Sequence, residues 1–115
     1  MYCLFVTLTN IDYKEDVLLS LQSAGITRAT SIDAVNLRKA LSDEFSLFTG
    51  FFKSAGERED EQILIITYID DLSQARELVE NLKMSGVDLQ KADILRMVAV
   101  PAVLSFDWET GLTEA

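Results

Sequence analysis

At 115 residues the chain is close to the commonest domain size and leaves no room for a second core. Its composition, 49% hydrophobic and 25% charged with a single proline, is that of a globular protein and excludes a disordered tail. A formal charge of −9, from 19 acidic against 10 basic side chains, repels phosphate backbones and anionic bilayers, so neither nucleic acid nor a membrane surface is an expected partner.

Residues 2–9 form an unbroken apolar and β-branched run, the pattern of a heavily buried central strand. The run has no basic flank and is much too short to span a bilayer, so it predicts neither a signal peptide nor a membrane span. Cys3, the one cysteine, lies inside it, cannot form an intrachain disulfide and reads as a small buried hydrophobe. A reducing, cytoplasmic setting is the expectation.

Asn10 to Asp12 punctuates the strand, and Asp12 with Glu15 has the spacing of a capping box. Val17, Leu18, Leu21 and Ala24 then share one helical face, and Gly25 supplies a left-handed terminator. Residues 28–37 predict a second strand with Ile32 and Val35 facing inward, and residues 38–41 read equally as more strand or as a helical turn. Residues 42–61, SDEFSLFTGFFKSAGEREDE, read as neither helix nor strand. They hold four of the six phenylalanines: Phe45, Phe48, Phe51 and Phe52. A connection of that length inside so small a domain is usually functional or disordered.

Residues 62–69 (QILIITYI) make the clearest strand in the sequence, and Asp70–Asp71 supplies its break and the N-cap of a second helix. Leu72, Ala75, Leu78, Val79 and Leu82 form the apolar stripe of that helix, and Ser85–Gly86 closes it. Residues 92–100 predict a fourth strand ending at Pro101, a residue suited to a strand end or an edge. Residues 102–108 allow one short extra strand, and Trp108 with the tail to Ala115 reads as a subunit-contact strand or a frayed end.

Sliding the second half back by 61 positions superposes Val17 on Leu78, Leu18 on Val79, Leu21 on Leu82, Gly25 on Gly86 and Ile26 on Val87. The whole of 1–115 is therefore read as one α+β domain of ferredoxin-like βαββαβ order. It has an antiparallel four-stranded sheet with two helices on one face and room for an extra C-terminal strand. The other sheet face needs a cover, which identical subunits provide, so a homo-oligomer is expected. Sheet-to-sheet burial alone does not choose between trimer and dimer.

Histidine is absent, which removes the commonest neutral-pH acid–base catalyst, the commonest transition-metal ligand and every Ser–His or Cys–His nucleophile. The acidic turn Glu57 to Glu61 lacks calcium-loop spacing and reads as a solvated charged turn. No enzyme activity, cofactor or metal is expected. The alternative is a small cofactor-independent enzyme using Tyr13, Tyr68 or a carboxylate. Asp12, Asp70 and Asp71 read as helix caps rather than catalytic acids.

Half of the positive charge, Arg28, Arg38, Lys39, Lys53 and Arg58, lies between the second strand and the long segment, as an anion-binding cleft at a subunit boundary would require. The competing reading is ordinary edge-strand charge that discourages sheet aggregation. The four phenylalanines must be covered by their own domain, a neighbouring subunit or a partner protein, since each fully buried one contributes roughly 1.5–3 kcal/mol. As a partner loop they would dock on a protein target. Gly50 and Gly56 would let the loop change shape.

The segments GITRATSIDAVNLRKAL and QILIITYI, the late LRMVAVP and the long loop between strands two and three resemble the nitrogen regulatory PII-like superfamily over most of residues 2–104. The resemblance implies a cytoplasmic signal-transduction homotrimer that binds a small effector in clefts between subunits and docks on targets through the mobile loop, here 42–61. Where nucleotide-binding relatives carry a glycine- and lysine-bearing phosphate cradle, this sequence has GVDLQKAD, with only Gly86 and Lys91 between Asp88 and Asp93. That is a poor phosphate nest. The CutA family of cation-tolerance proteins is similar in its aromatic-glycine loop, acidic turn and late tryptophan, and implies a cation-binding trimer as a further alternative.

Overall fold

The computed structural model describes residues 1–44 and 61–115. In chain order these form β1 (Tyr2–Leu8), a 3-10 turn (Ile11–Tyr13), α1 (Lys14–Ser23), β2 (Thr30–Val35), α2 (Leu37–Glu44), β3 (Glu61–Ile69), α3 (Leu72–Met84), β4 (Leu95–Pro101), β5 (Leu104–Asp107) and β6 (Gly111–Glu114). The fold is α+β. Four antiparallel strands lie in the order β2-β3-β1-β4, and β5 with β6 makes a separate C-terminal hairpin.

The apolar run of the first strand lies at the centre of the sheet, where Val6 sits between Ile65 of β3 and Met97 of β4. Successive side chains point to opposite faces, so Leu4, Val6 and Leu8 share one face with Ile63, Ile65 and Ile69, and all six are buried. Val17 and Leu21 of α1 and Leu78 and Leu82 of α3 complete that core. Each such side chain contributes on the order of 1.5–3 kcal/mol by leaving water. On the other face Cys3, Phe5, Leu64 and Ile66 are only half-buried, and Tyr68 and Val98 are exposed.

Several local expectations change. Ile32 and Val35 are 42% and 48% exposed rather than inward, because β2 is an edge strand and sends no side chain into the core. Leu18 is exposed on α1, and Ser20 is buried instead. There α1 packs against α3, and Asn81 Nδ2 donates to the Ser20 carbonyl. Residues 38–41 are helical, and α2 continues to Glu44, so the segment read as loop from residue 42 begins with helix. Its other end is also shorter, since Glu61 already belongs to β3. The fourth strand starts at Leu95, not residue 92, and the C-terminal tail is a paired strand. Asn10 rather than Asp12 caps the first turn, its Oδ1 accepting from Asp12 N at 3.0 Å.

Other signals hold. Asp71 caps α3 by accepting from Ser73 N at 3.2 Å. Gly25 and Gly86 follow α1 and α3 with φ of 78° and 90°, the left-handed terminators the sequence calls for. Pro101 ends an edge strand. No helix among the described residues is long and apolar enough to cross a membrane.

Candidate functional site

A polar recess of about 950 Å³ lies at the end of the sheet where β1 finishes. Thr9, Asn10 and Asp12 form one wall, Asn36, Leu37 and Arg38 a second, and Asp93 with Arg96 a third, with Gln62 entering from β3. Each part arrives there for a local reason. The break after β1 delivers Thr9 and Asn10, whose backbone N–H groups donate to the Ile94 carbonyl at 2.8 and 3.3 Å. Asn36 starts α2, its Oδ1 accepting from Lys39 N at 2.8 Å, which places Arg38 in the first turn. Arg96 is on β4 opposite Thr7, near the start of the strand.

The third wall is a small polar network. Thr9 Oγ1 lies 2.9 Å from the Asp93 carbonyl oxygen and 3.2 Å from Asp93 Oδ1, and Arg96 Nη2 donates to Asp93 Oδ2 at 2.8 Å. The Arg96 guanidinium hydrogen-bonded to it, aided by the Thr9 hydroxyl, holds the Asp93 carboxyl below the ordinary aspartate range, and the carboxylate in turn raises Arg96. A guanidinium is a planar fork of donors suited to a carboxylate or phosphate. Two of them, Arg38 and Arg96, reach this recess, together with the carboxylates Asp12 and Asp93. The site is thus of mixed charge and suits a small polar molecule that carries an anionic group and donors of its own.

The basic residues singled out in the sequence do not form one cluster. Arg28 and Arg38 flank β2 at opposite ends, and a six-residue strand puts roughly 20 Å between them. Arg28 lies in a second recess of about 470 Å³ with Gly25, Tyr68, Gln74 and Phe106, where its Nη1 meets Asp107 Oδ2 at 2.6 Å. Its carbonyl accepts from Thr67 Oγ1 at 3.3 Å. Lys39 is half-buried on α2 and does not line the recess that holds Arg38. Lys53 and Arg58, like Phe45, Phe48, Phe51 and Phe52, lie outside the described residues.

Sequence reasoning missed Thr9, Asn10, Asp93 and Arg96 as site residues. One signal was present, a lone arginine within the apolar run ADILRMVAV and three residues after an aspartate. Among the described residues no three Cys, Asp or Glu side chains converge to hold a metal ion. No protein-family model matches the chain, and no curated protein is significantly similar to it.

Proposed function

We propose that the chain is a non-enzymatic regulatory protein of the PII-like kind, built on ferredoxin-like layers, assembled as a homotrimer and sensing a small polar effector. The effector would bind at the Thr9–Arg38–Arg96 recess, completed by a neighbouring subunit, and the response would be a rearrangement of residues 42–61 that alters docking on a protein target. One observation carries this reading. Leu37 and Arg38, from the helix that leads into the long segment, and Gln62, from the strand that leads out of it, line the same recess. A molecule held there touches the first turn of the helix before the segment and the strand directly after it, so it can bind one arrangement of the connection better than another, which is what a ligand-driven shift requires.

Hydrogen exchange on the purified protein, with and without adenine nucleotides, cyclic dinucleotides and divalent cations, tests the reading. One compound should slow exchange selectively in 42–61, and Arg96→Ala should abolish that protection while leaving exchange in β1 and β3 unchanged. Exchange in 42–61 that no compound alters would overturn it.

A further inference from the structure

The β5–β6 hairpin faces the wrong way for a chain that stands alone. Along β5 the polar Ser105 and Asp107 are half-buried, and the apolar Leu104 and Phe106 point to solvent. Register places Leu112 of β6 opposite Phe106, on the same outward side. Phe106 is 76% exposed, Leu112 67%, and Trp108 at the turn 79%. A two-stranded hairpin is marginally stable by itself, and this one makes its contacts almost wholly within itself. Polar ties fix its orientation, the Arg28–Asp107 ion pair and Ala102 N donating to the Met1 carbonyl at 3.0 Å, while Ala115 N donating to the Val103 carbonyl at 3.0 Å extends the pairing within the hairpin. A one-residue change of register would turn the apolar side inward, yet those ties hold it outward.

Among the described residues a second apolar surface is also left open. On the sheet face away from the helices Ile32, Tyr68, Val98 and Val100 are each more than 40% exposed, around half-buried Phe5 and Ile66. Leu104, Phe106, Trp108 and Leu112 leave on the order of 600 Å² open on the hairpin, and the sheet residues on the order of 400 Å². Each surface alone is as large as the roughly 300–600 Å² largest apolar patch of an ordinary monomer, and this chain carries two; together, at roughly 1,000 Å², they match the ~800 Å² that each partner contributes to a standard interface. We infer that the hairpin is an exchange arm: the Leu104–Phe106–Leu112 side of one copy packs on the open sheet face of a second copy of this chain. The occupant is a second copy because an arm passed from each copy to the next covers both surfaces on every chain, round a ring of three as between two, and leaves neither open. The arm goes beyond the effector reading and shares with it only the use of identical subunits.

Trp108 is the only tryptophan, so it reports the contact directly. Sedimentation of the full chain should give an oligomer at micromolar concentration, with Trp108 emission blue-shifted and shielded from acrylamide. Phe106→Glu with Leu112→Glu should weaken association roughly 100-fold and expose Trp108. Val98→Glu on the receiving face should do the same. Mixing these two defective proteins should restore a one-to-one pair, since one supplies an intact arm and the other an intact face, and that complementation also establishes that both variants fold. An oligomer whose mass and quenching are unchanged by the hairpin substitutions, or two variants that fail to complement, would overturn the arm and leave the effector reading untouched. A monomeric parent with accessible Trp108 would overturn it as well and turn the hairpin toward a foreign partner. The effector reading would still be judged by exchange in 42–61.

Discussion

Asn81 Nδ2 donates to the Ser20 carbonyl at 3.4 Å, and the two residues are 61 positions apart, the offset of the internal repeat. The helices therefore meet at equivalent positions, close to an internal pseudo-two-fold axis. The correspondence extends to the backbone. Ile26 N donates to the Leu21 carbonyl at 2.9 Å as Val87 N does to that of Leu82 at 3.1 Å, and Asn10 and Asp71 each accept from the amide two residues on. The two halves share their turns more closely than their side chains.

The close helix contact makes Ser20 sensitive to size. Ser20→Leu extends the apolar stripe of α1 on paper, but the site is 4% exposed against α3. Overpacking should cost roughly 1–3 kcal/mol in urea denaturation, whereas Leu18→Ser on the exposed side should change stability by less than about 0.5 kcal/mol.

Gly25 and Gly86 should respond alike to alanine. A Cβ at Gly86 would meet nothing within 4 Å, and at Gly25 only the Gln74 Nε2 atom at 4.0 Å, so the cost is of backbone rather than of space. Each Gly→Ala change should lower stability by roughly 1–2 kcal/mol, with unchanged denaturant slope, because a left-handed residue is disfavoured by the added Cβ.

Removing the cap of α3 is a third test. Asp71→Ala loses the bond from Ser73 N, leaves that amide without its side-chain acceptor, and should cost about 1 kcal/mol. Asp71→Asn should recover most of it.

Acid should release the hairpin before it unfolds the sheet. The Glu109 backbone N–H at 2.8 Å and the Arg28 guanidinium hold the Asp107 carboxyl below the ordinary aspartate range. A carboxyl depressed by folding contributes its stabilisation above its unfolded range and loses it as pH falls through the folded value. Trp108 emission should therefore change on acidification below the ordinary aspartate range, while far-UV circular dichroism still reports the folded sheet. Asp107→Asn should abolish the separate Trp108 step.

The Asp93–Arg96 pair and Thr9 give a final check on the recess. Thr9→Val keeps the shape, removes the hydroxyl bonded to Asp93 and should cost roughly 1 kcal/mol. If the pair shapes the effector site, the variant should also reduce effector protection of 42–61 in the exchange experiment.

The sequence by itself determined what depends on neighbours along the chain. The apolar runs at residues 2–9 and 62–69, the stripe of α3, the Asp71 cap and the two terminating glycines are local signals, and each stands where its period or spacing put it. Tertiary structure decided what depends on position in the sheet. Ile32 and Val35 are apolar and alternate poorly, and only the edge place of β2 leaves them exposed. Leu18 and Ser20 differ by two residues, and only the approach of Asn81 selects the smaller for burial. Arg28 and Arg38 are ten residues apart in sequence, but an extended strand between them carries them to opposite ends of the sheet. Arg38 and Arg96, 58 positions apart, come to one recess because antiparallel pairing brings the end of β1, the approach to β4 and the end of β2 to the same side. Sequence period reports the face a side chain occupies along its own element; which neighbours that face meets is set by long-range pairing.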